Sequence, residues 1–234
     1  MTDGCAAVIV AEGSEINFAC QEAGAELFPE YPHLCFNPCT SHGDLGHKVR
    51  DEYDKYKFWF RPFNETEDYF VFLEQSAEMM NHYTNAKSVA LLIEDALWTE
   101  YFRKGLPGQF KPFKEMLADT GVEVVYYAET AIGEKMFLPV LDAIAKKNPD
   151  YIYNLNAYSD DVAFVKQWAE GAARNIDLYN NGGASTMPTY WGMTGGAAMG
   201  CVCSTYVGAA LTERTIPFGE ALIAKYGATP NWVS

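Results

Sequence analysis

The chain has 234 residues, of which 49% are hydrophobic and 15% aromatic, so it can build a packed core and is not intrinsically disordered. Its 31 acidic residues outnumber the 17 basic residues and give a formal net charge of −14. Nucleic acid is therefore not an expected partner, because nucleic-acid binding requires clustered Lys and Arg. No apolar run is long enough to span a bilayer, and the first residues show no export signal.

Strand and helix patterns alternate along the chain. The apolar run 88–93 predicts a buried strand, because it is continuous and rich in aliphatic side chains. We predict further strands at 6–10, 33–36, 57–60, 122–127, 150–156, 176–179 and 199–206. We predict helices at 15–24, 66–83, 99–119 (interrupted at 105–108), 134–147, 160–173 and 218–226, and a solvated loop at 43–56. This alternation is typical of doubly wound α/β layers, in which the carboxyl ends of the strands bind ligands.

Two loops in the first part of the chain offer polar groups after a strand. Gly13 and Ser14 begin a helix, whose N-terminal N–H groups favour a carboxylate or phosphate, although Ser14 could instead cap the helix. Thr40 and Ser41 place two hydroxyl groups after the second strand, where they form either an anion site or an ordinary turn. Both pairs are candidates for ligand binding.

Three further segments follow strands in the second part of the chain. Trp98 follows strand 88–93 and either closes over a ligand or belongs to the core. Asn156 and Tyr158 follow strand 150–155, and Gly182 lies in the loop after strand 176–179. We expect all five segments to share one rim, because parallel strands end on the same side of a sheet.

Catalytic and metal-binding motifs are weak or missing. The sequence contains no phosphate loop, nucleophile elbow or zinc-protease motif. Glu94 and Asp95 are adjacent, so their side chains point apart on a strand and do not form an acid–base pair. His42 and His47 lie close in sequence but match no zinc motif. We therefore predict no catalytic residue, no metal ligand and no cofactor.

The order of several landmarks resembles one protein family. Phe-Arg-Pro at 60–62, Leu-Ile-Glu-Asp at 92–95, the stretch 146–152 and Ala-Ala-Met-Gly at 197–200 follow one another as in the type I periplasmic binding proteins. The resemblance is to the receptors for branched-chain amino acids (Leu, Ile and Val) that serve ABC transporters, and it runs almost from end to end of the chain.

The resemblance implies an α/β fold with two doubly wound, Rossmann-like lobes of the type I periplasmic binding fold. Residues 1–87 would form a first lobe, which is incomplete because family members have further βα units before it. Residues 88–206 would form the second lobe, and 207–234 would cross back toward the first. The chain then looks like an internal fragment.

The resemblance also implies a function. Family members are not enzymes; they bind a small carboxylate-bearing or amino-acid-like ligand by hinge closure of two lobes and deliver it to an ABC permease in the membrane. The implied location is periplasmic or extracytoplasmic. The alternatives are a cytoplasmic ligand-sensing regulator on the same scaffold and an enzyme on a doubly wound fold.

By the same resemblance, Ser14 and Ser41 hold the carboxylate of the ligand, and Trp98 covers the ligand. Tyr158 provides a second aromatic contact, although the family register points to Ala157. Receptors for amino acids place an acidic residue in the loop after the next strand, where this chain has Asn-Gly-Gly at 181–183. Because a buried ammonium group without a counter-charge is costly, we expect a small carboxylate, an amide or an aromatic acid rather than an ordinary amino acid.

Overall fold

The structure is a computed structural model that describes residues 5–11, 13–204 and 212–227. The described strands are β1 (Ala7–Ile9), β2 (Leu34–Phe36), β3 (Trp59–Phe60), β4 (Ser88–Asp95), β5 (Glu123–Ala131), β6 (Tyr151–Leu155), β7 (Asp177–Asn181) and β8 (Cys201–Cys203). The described helices are α1 (Ser14–Leu27), α2 (Gly43–Asp51), α3 (Tyr53–Tyr56), α4 (Thr66–Thr84), α5 (Glu100–Lys104), α6 (Phe113–Asp119), α7 (Leu138–Lys147), α8 (Asp161–Glu170), α9 (Tyr190–Thr194) and α10 (Thr215–Tyr226).

The chain packs as two compact units. The described residues up to Glu74 form the first unit together with Leu97–Pro112, and Gln75–Ala96 forms the second together with the described residues from Phe113 onward. The first unit holds β1–β3 and the second holds β4–β8, and the predicted boundary before Ser88 stays a prediction. The packing itself divides inside α4 and assigns Leu97–Pro112 to the first unit.

The first unit contains a parallel sheet with the order β1-β2-β3. Its core includes Leu45 and Tyr56, which lie in the segment that we predicted to be a solvated loop. That prediction is wrong, because the two apolar side chains fold the segment into α2 and α3. The ring of His42 supports α2, since its Nδ1 accepts a hydrogen bond from the backbone N–H of Asp44 at 3.3 Å.

The second unit contains a parallel sheet with the order β5-β4-β6-β7-β8. The chain runs from β4 to β5 on one side and then to β6 on the other, so the sheet is doubly wound and the predicted fold class is confirmed. α7 and α8 bury apolar side chains against this sheet. The winding reverses between β4 and β6, and open α/β sheets bind ligands at such a point.

Other predicted elements agree with the structure apart from their ends. β5 is longer than predicted and β8 is shorter, and residue 206, the predicted end of β8, lies outside the described residues. The six cysteines are free; Cys35 is buried, whereas Cys5 and Cys203 are exposed. Among the described residues, no helix combines the length and apolar character that a membrane span requires.

Candidate functional site

Two buried hydroxyl groups meet where β1 and β2 end. Ser14 Oγ lies 2.5 Å from Thr40 Oγ1, and both residues are almost completely buried. Gly13 is the N-cap of α1 and Ser14 is the first helical residue, so Ser14 does not cap the helix as the alternative interpretation proposed. The pair therefore lies beside the first turn of α1, whose N–H groups attract negative charge.

Asn37 shapes the loop that carries Thr40. Its Oδ1 accepts hydrogen bonds from the backbone N–H groups of Cys39 at 3.2 Å and Thr40 at 3.1 Å. Its Nδ2 is buried and has no hydrogen-bond partner among the described residues. We did not predict Asn37 from the sequence, although asparagine ahead of a turn commonly binds the backbone in this way.

The neighbouring loop is fixed by the start of α4. Thr66 Oγ1 donates to the carbonyl oxygen of Ser41 at 3.0 Å and accepts from the backbone N–H of Gly43 at 2.8 Å. Arg61 Nη1 donates to the carbonyl oxygen of His42 at 2.6 Å. Ser41 thus lies in a braced turn, with its backbone position set by a residue 25 positions away.

Trp98 lies in the turn Leu97–Thr99 after β4. Its ring is 9% exposed and packs edge-on against Tyr69 and Phe102, at centroid distances of 6.1 and 6.2 Å. Within the first unit, Glu15 holds this turn, because its Oε1 accepts a hydrogen bond from the backbone N–H of Leu97 at 2.8 Å. These aromatic contacts are typical of a core residue, and contact with a ligand stays a prediction.

Glu94 fixes the loop after β6. Its buried carboxylate accepts hydrogen bonds from the backbone N–H groups of Ala157 (3.1 Å), Tyr158 (2.9 Å) and Ser159 (2.6 Å), and from the Ser159 hydroxyl (2.7 Å). A carboxylate held by several N–H groups satisfies its charge inside the protein. Glu94 therefore positions the loop that presents Asn156 and Tyr158, a role that the sequence did not indicate.

Asn156, directly after β6, has a buried side chain without hydrogen-bond partners in the described part of the chain. It is 2% exposed, and neither its Oδ1 nor its Nδ2 has a hydrogen-bond partner among the described residues. Asn154, inside β6, is equally buried but donates to Asn180 Oδ1 at 2.7 Å. A buried amide that lacks partners costs about 1–3 kcal/mol, which a bound water or solute that hydrogen-bonds to Asn156 would recover.

Gly182 lies against a carboxyl group from another element. A Cβ atom at this position would overlap the carboxyl group of Asp161, at the start of α8. That carboxyl group accepts from Asn180 Nδ2 at 2.6 Å, Ser185 N–H at 2.8 Å and Tyr190 OH at 3.3 Å, and burial raises its pKa. The loop itself has no acidic residue, as the sequence shows, but the structure brings an acid from α8 beside it.

The structure therefore brings some of the predicted residues together within each unit. In the first unit, Ser14 follows Gly13 at the start of α1 and touches Thr40, which precedes Ser41. In the second unit, the backbone N–H of Asn156 donates to the carbonyl oxygen of Asn181 at 3.1 Å, so the loops that carry Tyr158 and Gly182 lie side by side.

No protein-family model and no curated protein matches the chain. Solved structures do match. An amino acid ABC transporter substrate-binding protein from Pseudomonas fluorescens Pf-5 superposes with a TM-score of 0.74 at 16% identity, over 99% of this chain and 57% of that one. A leucine-binding protein from Thermotoga maritima gives 0.67 at 19% identity, over 97% and 59%.

A third match is a solute-binding protein of an ABC transporter from Rhodopseudomonas palustris HaA2, solved with p-hydroxybenzoic acid. Its TM-score is 0.73 at 18% identity, over 100% of this chain and 59% of that one. The chain has the fold of the type I periplasmic binding proteins. It spans between 57% and 59% of the length of these three structures. The predicted resemblance is thus confirmed at the level of fold, and the matched proteins bind solutes for ABC transporters.

Proposed function

We propose that the chain is the solute-binding component of an ABC importer and that it binds a small carboxylate-bearing solute. The observation that carries this proposal is Asn156, a buried amide at the reversal point of a doubly wound sheet, with no partner among the described residues for either polar atom. A bound carboxylate would accept from Nδ2, and a ligand hydroxyl or N–H would donate to Oδ1.

The first unit supplies donors of the kind that a carboxylate needs. Ser14 and Thr40 place two hydroxyl groups beside the N-terminus of α1, and Ser41 adds a third in the braced turn. The buried Nδ2 of Asn37 is a further donor without a partner among the described residues. Hydroxyl groups and a helix N-terminus together favour an anion over a cation.

Within this class, we favour a carboxylate that carries no ammonium group. Asp161 lies beside the loop after β7, but Asn180, Ser185 and Tyr190 already occupy its carboxyl group. A ligand ammonium would therefore lack a free counter-charge in the described part of that loop, and burying it would be costly. The neighbour solved with p-hydroxybenzoic acid is an example of this ligand class on the same fold.

Two parts of the proposal come from the family resemblance. They are the closure of two lobes over the ligand and delivery to an ABC permease. Periplasmic or extracytoplasmic location belongs with them.

The test is a thermal melt of the chain with a panel that contains benzoate, p-hydroxybenzoate, an aliphatic carboxylate, leucine and benzamide. A ligand at a hundred times its Kd should add about 2.7 kcal/mol to the free energy of unfolding. We expect the carboxylates without an ammonium group to raise the Tm. Leucine and benzamide should leave it unchanged. The double variant Ser14→Ala/Ser41→Ala should lose this shift.

The unliganded melt of the double variant is the control, because it shows whether the variant still folds. A panel without any shift, or a shift that persists in a folded double variant, would contradict the proposal.

A further inference from the structure

Three potential metal ligands converge in the first unit. One ligand atom each from His47, Glu65 and Glu67 can be chosen so that all three lie within 4.8 Å of one another. His47 belongs to α2, Glu65 immediately precedes α4, and Glu67 lies in the first turn of α4. One imidazole and two carboxylates form a ligand set that suits a zinc-like divalent cation.

The distance between two of these groups is that of a long hydrogen bond and also matches two ligands of one ion. His47 Nε2 lies 3.4 Å from Glu67 Oε1. Hydrogen bonds from a nitrogen to an oxygen are usually about 2.7–3.2 Å long, whereas two ligands of a tetrahedral zinc ion lie about 3.4 Å apart. The other oxygen of Glu67, Oε2, is buried and has no hydrogen-bond partner among the described residues. A cation at this position would give that oxygen a partner.

Neighbouring groups orient the ligands. Asp44 Oδ1 lies 3.4 Å from His47 Nδ1, and Tyr101 OH holds the same oxygen at 2.6 Å. With a cation on Nε2, the proton would lie on Nδ1, where the Asp44 carboxylate accepts it. Metal-binding histidines commonly have this arrangement.

The local charge also favours a cation. Asp44, Glu65 and Glu67 provide three carboxylates, and Arg61, which donates to Glu65 Oε1, provides one positive charge against them. The Glu65 side chain is 45% exposed, so it can rotate to bring its second oxygen toward the other two ligands.

From these observations we propose that His47 Nε2, one carboxylate oxygen of Glu65 and the Glu67 carboxylate, through Oε1 with Oε2 at longer range, bind a divalent cation of zinc-like chemistry, with water in the remaining position. The cation joins α2 to the start of α4. These are the elements that fix the loop at 40–43, because Gly43 begins α2 and Thr66 binds both Ser41 and Gly43. The proposal does not depend on the identity of the solute.

The experiment is calorimetric titration of the metal-free, untagged chain with ZnCl₂, followed by thermal melts with zinc and with magnesium. We expect one zinc ion to bind and to raise the Tm, and magnesium to bind at least tenfold more weakly. His47→Gln and Glu67→Gln should each weaken zinc binding at least tenfold. Titration with Co²⁺, whose visible absorption reports on its ligands, should give a spectrum that changes in His47→Gln.

His82→Gln and Glu74→Gln are the matched controls, because both residues are exposed on α4 and each control makes the same chemical change as one test variant. Both controls should retain zinc affinity. If His47→Gln fails to fold, Glu67→Gln compared with Glu74→Gln decides the question. No zinc binding by the native chain, or equal binding by the test and control variants, overturns the proposal.

Discussion

The Glu94 carboxylate accepts two hydrogen bonds from Ser159, one from its backbone N–H at 2.6 Å and one from its hydroxyl at 2.7 Å. The two residues are 65 positions apart in the chain, so the bonds tie the end of β4 to the loop after β6. The conformation of that loop, and therefore the position of Asn156, depends on a carboxylate from a different strand.

The first prediction concerns this contact. In Glu94→Gln, one carboxylate oxygen becomes an NH₂ group that faces N–H donors, so hydrogen bonds are lost and donors oppose one another. We expect the free energy of unfolding to fall by about 2–3 kcal/mol, as for lost hydrogen bonds to a buried charge. Urea unfolding measures the change. Glu123→Gln, on the exposed start of β5, should stay within about 0.5 kcal/mol, and equal effects of the two substitutions would contradict the role of Glu94.

The second prediction contrasts two buried asparagines, Asn156 directly after β6 and Asn154 inside it. Asn156→Leu removes a buried amide that has no partner among the described residues, so it should stabilise the unliganded chain by about 1–3 kcal/mol and abolish solute binding. Asn154→Leu leaves Asn180 Oδ1 without its donor and should destabilise the chain by a similar amount. Melts with and without solute measure both effects. A destabilised Asn156→Leu variant would show that Asn156 has a structural role.

The third prediction concerns Gly182. Gly182→Ala places a methyl group on the Asp161 carboxyl group, and overpacking of this kind costs about 1–3 kcal/mol. Gly192→Ala adds the same methyl group where nothing lies within 4 Å, so it should be neutral or slightly stabilising. The urea midpoints of the two variants measure the difference. Equal midpoints would mean that Asp161 moves away from Gly182 without cost.

The fourth prediction concerns pH. Burial lowers the pKa of His42 below its ordinary value of 6.5, although Asp44 and Glu100 oppose the shift. The native state therefore favours the neutral ring. The resulting stability is complete above the unfolded pKa and is lost as the pH falls through the lowered folded pKa. When the pH falls from about 7.5 to 5.5, the free energy of unfolding should fall more in the native chain than in the His42→Asn variant. The asparagine keeps a capping acceptor but does not titrate.

The urea midpoint at the two pH values measures this loss. His82→Asn replaces an exposed histidine and should behave like the native chain. The same pH dependence in native chain and His42→Asn would show that His42 does not control acid stability.

The sequence predicted the second sheet well because its strands are continuous apolar runs separated by helices. It failed over 43–56, where Leu45, Val49 and Tyr56 pack in the core but lie among charges in the sequence. A histidine, an uncommon capping residue, precedes the helix. The apolar residues of the segment do recur at helical spacing, but its charges and glycines were interpreted as a loop.

The sequence identified only some of the residues of the candidate site, for a related physical reason. Asn156 follows a clear strand and could be found from its position. Three side chains hold the loops of the candidate site by accepting hydrogen bonds from backbone N–H groups: Asn37, Glu94 and Asp161. Backbone N–H groups are the same in almost every residue, so the sequence does not mark them as partners. The partners of Glu94 also lie more than 60 positions away. Local patterns do not contain that information.

The assignment of Leu97–Pro112 to the first unit has a practical consequence for anyone who dissects the protein. After β4 the chain leaves the second unit, contributes α5 to the first, and returns at Phe113. Neither unit is thus one uninterrupted piece of the gene. An expression fragment that starts at Ser88 would carry α5 away from its aromatic neighbours, and one that ends at Lys87 would lack it. A domain-swapped chimaera needs one junction on each side of Leu97–Pro112, at 96/97 and at 112/113. It also needs a junction inside α4, where the two units divide.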